Sequence, residues 1–247
     1  MQCKQRKQSA PIDLVALREQ ITRLEGAQRR HDQPPVPSGC APLDRLLPEG
    51  GLAWGTLVEW LADGDGSGAQ TLALRSACQA CRRGGALMVL DRQGEFYPPA
   101  AARLGADLDR LIVVRAASAA DDAWALDQSL RCPGVTAVLA WPERLDGRTF
   151  RRLQLAVEEG GGLGVLVRPG AVRSEPSWAD VRLLVEPMPL ETACKLKIDS
   201  CQSAIGEPLG TMRRTRIHLL RCRGSAAGRS IDVEIDDETH TVHLVEG

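Results

Sequence analysis

Residues 56–74, TLVEWLADGDGSGAQTLAL, contain an apolar run, a glycine-rich segment and the start of a second apolar pattern in immediate succession. TLVEWL predicts a buried β-strand, and ADGDGSGAQ predicts a loop. The stretch 71–83, TLALRSACQACRR, predicts a helix with Leu74, Cys78 and Cys81 on one face. A strand, a glycine-rich loop and a helix in this order form the usual geometry of a phosphate-binding loop, although the order alone also fits an ordinary tight turn.

The same alternation of strand and helix continues beyond this stretch. Further strands are predicted for ALMVL, LIVVRA, VTAVLAW and LGVLV, which are residues 86–90, 111–116, 135–141 and 163–167. Helices are predicted for 98–105, for a segment that starts after Ser118 with Asp121 at the capping-box position, and for 148–160. Short apolar strands that alternate with helices predict a mainly parallel sheet covered on both faces, which is an α/β fold.

The segments on either side of this α/β core have a different character. We expect three parts: 1–36, a helix followed by a proline-rich linker; 37–190, the core; and 191–247, a C-terminal loop and β-strand extension. The extension carries RTRIHLLRCR, followed by two alternating runs around an acidic turn at 236–238, which predict a β-hairpin. Most of 191–212 carries no clear pattern, and we expect a loop there.

The predicted N-terminal helix, 12–30, carries one narrow apolar stripe. Its members lie three or four residues apart and are Leu14, Leu17, Ile21 and Leu24. Such a stripe has to be buried, either on the chain's own domain or on a partner, and the sequence leaves both open.

Composition limits the classes of function. The formal net charge is −1, so any contact with nucleic acid has to come from a local basic patch. No stretch approaches the roughly 18 apolar residues of a membrane span, and we expect a cytoplasmic protein without a membrane contact.

Cys78 and Cys81 form a CxxC pair within a predicted helix, without a second pair at zinc spacing. His240 and His243 should face opposite sides of a strand. We therefore expect no metal site.

Three stretches resemble the core of the RecA family. They are PSGCAPLDRLLPEGGLAWGTLVEWL (37–61), LMVLDRQGEFYPPAAARLGADLDRLIVV (87–114) and VTAVLAW, which falls where that family has its Walker B strand. The resemblance covers roughly residues 37–145. It implies a RecA-like, P-loop-type core with a mainly parallel sheet, flanked by the N-terminal helix and the C-terminal hairpin.

The same resemblance implies that the residues of ATP hydrolysis are missing. Ala69 falls at the position of the phosphate-binding lysine, and Gln70 falls at that of the magnesium-coordinating serine or threonine. Gln93 replaces the glutamate that orients the attacking water, and Ala140 or Trp141 stands where an aspartate should lie near magnesium. An amide cannot accept the proton of that water. We therefore expect no catalytic residues, no ATPase activity and no ATP cofactor.

The loop itself is expected to be a vestigial nucleotide site. Asp63 and Asp65 place negative charge beside the position of the phosphates. The residues that would still surround a nucleotide are Gly64, Gly66, Ser67, Gly68 and Thr71, with Thr71 one place late for the metal-binding hydroxyl.

Two further stretches resemble the ImuA family of RecA-related proteins. They are AVLAWPERLDGRTFRRLQLAVEEGGGLGVLVRP (137–169) and RIHLLRCRGSAAGR (216–229). The resemblance implies a non-catalytic accessory protein of error-prone translesion DNA synthesis in the SOS response. It implies as partners ImuB, which is a Y-family polymerase homologue, a DnaE-type error-prone polymerase, and RecA. The expected partner-binding residues are Leu14, Leu17, Ile21, Leu24, Arg151, Arg152 and Gln154.

Alternatives remain open at this point. An active RecA-like ATPase with a degenerate P-loop would need a substitute for the lysine, for which Arg75 and Arg92 are the candidates. A SulA-like cell division inhibitor is a related possibility, although such proteins are usually shorter.

Several arginines allow either a binding role or a solvated surface. On a strand, the odd-numbered Arg213, Arg221 and Arg223 would share one face and could contact DNA phosphates, although scarce aromatic residues argue against base stacking. Arg151 and Arg152 could instead pair with Glu158 and Glu159 on a solvated helix.

Overall fold

The fold is described from a computed structural model of the chain. The structure describes residues 33–142, 144–189, 212–224, 227–236, 238–239 and 241–245. The predicted helix 12–30 with its apolar stripe, residues 191–211 and His240 lie outside the described residues.

The described strands form one nine-stranded sheet. Their bounds are β1 Thr56–Ala62, β2 Ala86–Leu90, β3 Leu111–Val114, β4 Val135–Ala140, β5 Leu163–Pro169, β6 Val181–Met188, β7 Met212–Cys222, β8 Arg229–Asp236 and β9 Val242–Leu244. The order across the sheet is β3-β2-β4-β5-β1-β6-β7-β8-β9. Following this order across the sheet, the six strands β3, β2, β4, β5, β1 and β6 are parallel to one another. Strands β7, β8 and β9 then pair antiparallel with their neighbours. The predicted α/β class with a mainly parallel sheet and a C-terminal hairpin is therefore confirmed.

The helices cover both faces of this sheet. Their bounds are α1 Ala41–Asp44, α2 Ala69–Cys81, α3 Pro98–Arg103, α4 Ala119–Arg131 and α5 Gly147–Gly160. Leu72 and Ala73 of α2 pack in one buried apolar cluster, and Phe150 and Leu153 of α5 pack in a second. Because β1 contributes Val58 to the first cluster and neighbouring Leu57 to the second, the two clusters lie on opposite faces of the sheet.

Local signals place the helix starts as the sequence predicts. The Ser118 hydroxyl accepts a hydrogen bond from the backbone N–H of Asp121 at 3.1 Å and donates one to the Asp121 carboxylate at 2.7 Å. Asp146 caps α5 in the same way, by accepting from the backbone N–H of Thr149. Each cap satisfies a backbone donor that the first turn of a helix leaves without a partner.

Strand β6 was not predicted, and it changes how the C-terminal part is attached. It pairs in parallel with β1 and antiparallel with β7, so the C-terminal strands continue the central sheet. Ile217 and Leu219 of β7, and Val233 and Ile235 of β8, belong to the same buried cluster as α2. The predicted boundary at residue 190 therefore falls within one continuous sheet.

The prediction that Arg213, Arg221 and Arg223 share one face is wrong. The pairing of β6 with β7 shifts by one residue between Leu219 and Arg221, which reverses the side to which the later residues point. Arg213 lies on the α2 side, where it contacts Thr71, whereas Arg221 contacts the backbone of Ser177 near α5.

None of the helices in the described part of the chain is long and apolar enough to span a membrane. No group of three or more His, Cys, Asp or Glu side chains among those residues is placed to hold a metal ion.

Candidate functional site

Three glycines shape the loop between β1 and α2, which the sequence predicts to be a vestigial phosphate-binding loop. Gly64, Gly66 and Gly68 all have positive φ, at 91°, 74° and 88°. Residues with side chains seldom adopt this conformation, so the three glycines allow the chain to turn sharply from the end of β1 into α2. The N-cap residue of α2 is Gly68, which has no side chain to cap the first backbone amides of the helix.

Strands β7 and β8 pack directly against this loop. The Thr215 hydroxyl, on β7, donates to the carbonyl oxygen of Ser67 at 2.8 Å. A Cβ atom built on Gly68 would lie 2.8 Å from Cδ1 of Ile235, on β8. The amide of Ala69 donates to the hydroxyl of Ser67 at 3.5 Å. The loop therefore packs against side chains of the C-terminal strands.

A cation lies beside the loop, but it comes from β7. Arg213 donates from Nη2 to the hydroxyl of Thr71 at 3.4 Å. Neither arginine that the sequence suggested as a substitute for lysine takes this place. Arg75 lies against Gly39, and Arg92 lines a neighbouring pocket. Arg213 could not be found from local sequence, because 142 residues separate it from Thr71 and only the sheet order brings them together.

The turn after β2 is held by a buried aspartate. Asp91 accepts from the backbone N–H of Glu95 at 2.9 Å and from Nε of Arg115 at 3.3 Å. Gln93, at the position of the expected glutamate, is exposed at the tip of this turn. The Asp91 carboxylate therefore fixes the turn through these two hydrogen bonds.

A pocket of about 350 Å³ lies between this turn, the start of α2 and the end of β4. Its lining combines aromatic and polar side chains, among them Gln70, Thr71, Gln93, Phe96, Tyr97, Asp122 and Trp141. The rings of Phe96 and Trp141 lie 6.3 Å apart between centroids. Trp141 follows β4 directly and lines this pocket, and an aspartate was expected at its position or at that of Ala140.

Asp122 is the notable charged group of this pocket. Burial raises the pKa of its carboxyl group, and the positive charge of Arg92 acts in the opposite direction. Its Oδ1 atom is buried and accepts no hydrogen bond from any residue that the structure describes. The pocket therefore combines aromatic walls with a carboxylate that could accept a hydrogen bond from a ligand.

The predicted partner-binding residues of α5 have intramolecular contacts. Arg152 pairs with Asp127 of α4 at 3.3 Å. The Arg151 guanidinium lies over the ring of Trp178, 4.9 Å from its centroid, and also donates to Gln154. Gln154 is buried. Arg151 and Arg152 make these contacts in place of the ion pairs with Glu158 and Glu159 that a solvated helix would have had.

The arginines of β7 separate into two groups. Arg214 and Arg216 pair across the strands with Glu234 and Asp232 of β8, at 2.6 Å in both cases. The DNA-binding candidates make other contacts. Arg221 donates to the carbonyl oxygen of Ser177, and Arg223 lies 3.4 Å from Asp180 and 3.6 Å from Glu158.

Comparison with known proteins gives consistent matches. The model of the RecA N-terminal domain family matches residues 10–138. Protein ImuA of Caulobacter vibrioides, strain NA1000 / CB15N, is 30% identical over 220 residues, which are 82% of this chain and 84% of that protein. Protein RecA of Francisella tularensis subsp. novicida is 32% identical over 119 residues, which are 48% of this chain and 33% of that RecA.

Proposed function

The chain belongs to the ImuA family of RecA-related proteins, and from this membership we propose that it is a non-catalytic accessory protein of error-prone translesion DNA synthesis. It would use the RecA-like fold as a scaffold for protein contacts during the SOS response. Its proposed partners are ImuB, which is a Y-family polymerase homologue, a DnaE-type polymerase and RecA.

The proposal that the chain is non-catalytic is supported mainly by the surroundings of the loop between β1 and α2. The loop keeps the glycine-dependent backbone, but Ala69 and Gln70 offer neither a cation nor a metal-binding hydroxyl. The hydroxyl of Thr71 instead accepts a hydrogen bond from Arg213, and Ile235 packs on Gly68. These residues do not fit a magnesium-bound nucleotide.

The chemistry of phosphoryl transfer explains why this matters. Such reactions depend almost entirely on positioning the phosphates and stabilising their charge, so losing the cation, the metal ligand and the water-orienting carboxylate removes most of the catalytic effect. By the resemblance to RecA, Gln93 stands at the position of one expected carboxylate, and Ala140 or Trp141 stands at that of the other. Arg213 supplies one positive charge, but it acts from β7 and is engaged with Thr71.

Binding to the polymerase partners tests the proposal directly. We would mix the full-length chain with purified ImuB and with the DnaE-type polymerase, and follow complex formation by size-exclusion chromatography with and without magnesium and ATP. The proposal predicts a complex with at least one of the two that is equally stable with and without the nucleotide. No complex with either, or a complex that forms only with ATP, would contradict it.

A further inference from the structure

An exposed tryptophan lies on the segment that joins β5 to β6. Trp178 is 42% exposed, although an indole is among the side chains that gain most from burial. Tryptophan and arginine are also the residues most enriched among those that dominate the affinity of protein interfaces. We define the Trp178 patch as Arg151, Leu155, Trp178 and Arg221.

The backbone next to Trp178 is fixed from both sides. The Ser177 hydroxyl donates to Glu59 at 2.8 Å and accepts from the backbone N–H of Ala179 at 3.1 Å. The carbonyl oxygen of Ser177 accepts from Arg221 at 2.6 Å. The backbone on either side of Trp178 is therefore held in place before any partner arrives, which reduces the entropy that binding has to overcome.

A buried ion network holds the rest of this segment. Glu59, which is fully buried on β1, pairs with Arg168 of β5 at 2.9 Å and with Arg182 of β6 at 2.7 Å. Arg182 also donates to the carbonyl oxygens of Val172, Arg173 and Glu175. Burying three charges is costly unless each is paired, and hydrophobic residues would serve the core equally well. The network thus fixes segment 170–180 over the α5 side of the sheet.

The charges of α5 run against the dipole of that helix. Arg148, Arg151 and Arg152 lie in its first half, and Glu158 and Glu159 lie in its last turn. A helix prefers the opposite arrangement, because its N-terminus carries partial positive charge. The helix dipole therefore does not explain why the first half of α5 is basic.

Three of these five charges form ion pairs within the chain, and Arg151 is not one of them. Arg152 pairs with Asp127, Glu159 pairs with Arg131, and Glu158 lies near Arg223. Within the described parts of the chain, Arg151 contacts Gln154 and the ring of Trp178 and forms no ion pair. Leu155, 44% exposed, lies one helical turn further along the same side of α5.

We propose that the Trp178 patch docks a segment of a partner protein that presents carboxylates beside an apolar side chain. The apolar side chain would pack on Trp178 and Leu155, and the carboxylates would pair with Arg151. The inference rests on the proposed function, because it locates the binding of a polymerase partner. Nucleic acid fits the patch less well, since the guanidinium of Arg151 covers one face of the indole and Leu155 offers nothing to a phosphate.

The test compares patch variants with a matched control. We would measure the affinity of the full-length chain for ImuB and for the DnaE-type polymerase, using Trp178→Ala, Arg151→Gln and Arg151→Glu. Trp124→Ala is the control, because Trp124 is 64% exposed on α4 and lies outside the patch. Circular dichroism melting would check that every variant is folded, and single-stranded DNA would be titrated in parallel.

The inference predicts a loss of affinity of about tenfold or more in Trp178→Ala, with Trp124→Ala close to the wild type. Because the partner is acidic, Arg151→Glu should weaken binding more than Arg151→Gln, and the difference should shrink as salt is raised. Wild-type affinity in the folded patch variants, or an equal loss in Trp124→Ala, overturns the inference and leaves the proposed function intact. Loss of DNA binding alone overturns it too. Failure of the wild-type chain to bind either polymerase protein overturns the proposed function and the inference together.

Discussion

Two loops beside the same sheet differ in the side chains that pack against them. At the loop between β1 and α2, three glycines shape the backbone, and Ile235 and Arg213 of the C-terminal strands pack onto it. At the Trp178 patch, three buried charges on the central strands hold a loop that leaves a tryptophan in contact with solvent.

The difference shows which part of the chain is held by buried charged residues. Buried charges are expensive and are expected where geometry has to be exact. Here they support an exposed apolar surface, whereas an isoleucine packs on the loop between β1 and α2 and a tryptophan lines the neighbouring pocket. This difference supports the proposed role as a scaffold for protein contacts.

The largest effect is expected from breaking the ion network. Glu59→Gln leaves Arg168 and Arg182 buried without their carboxylate, and we expect the free energy of unfolding to fall by about 3–5 kcal/mol in denaturant titrations. Segment 170–180 should also loosen, so trypsin should cleave after Arg173 faster than in the wild type. Unchanged stability together with unchanged cleavage would show that the network does not hold the Trp178 patch.

A matched control for this variant is Glu175→Gln. Glu175 pairs with Arg168 at 3.0 Å, but its side chain is half exposed. We expect a loss of at most about 1 kcal/mol, because water screens the pair and replaces much of its energy.

A smaller effect is expected at the nucleotide-type loop. Ile235→Ala removes a fully buried side chain that packs on Gly68, and we expect a loss of about 3 kcal/mol in the free energy of unfolding. Denaturant titration measures it. A loss well below 1 kcal/mol would mean that Ile235 of β8 does not pack on the loop between β1 and α2.

A double-mutant cycle sharpens this point. Gly68→Ala should be strained, because the residue has a φ of 88° and its new Cβ would meet Ile235. The part of the loss due to Ile235 should disappear in the Ile235→Ala background, which the cycle reports as a coupling between the two positions. Purely additive losses would contradict the contact.

The smallest effect is expected from a pair that belongs to neither region. The hydrogen bond from Arg216 lowers the pKa of Asp232, so the pair stabilises the fold above the ordinary aspartate pKa of about 4 and loses this effect as pH falls through the lowered pKa. Arg216→Gln should lower the melting temperature slightly at neutral pH. The difference from the wild type should shrink in acid, and a difference that grows in acid would contradict the assignment.

Much of the fold could be predicted from the sequence. Each apolar run of the core formed a strand, and the Ser118 cap and the β8–β9 hairpin formed as their local signals indicated. These features depend on neighbours in sequence, which periodicity and capping report directly.

The contacts that matter most to the two regions depend on sheet order. Glu59 and Arg168 interrupt otherwise apolar strands, and this interruption was the available signal of a buried pair. Their partnership required the knowledge that β5 lies beside β1. The shift in register near Leu219, which separates Arg213 from Arg221, had no signal in the sequence.

ATP turnover by the purified full-length chain tests the central claim most directly. The measurement is phosphate release with magnesium present, for the wild type and for Gln70→Ala and Gln93→Ala. The account predicts no release above a protein-free blank in any of the three. Turnover by the wild type that either substitution abolishes would show that the corner still performs nucleotide chemistry, and would contradict the account.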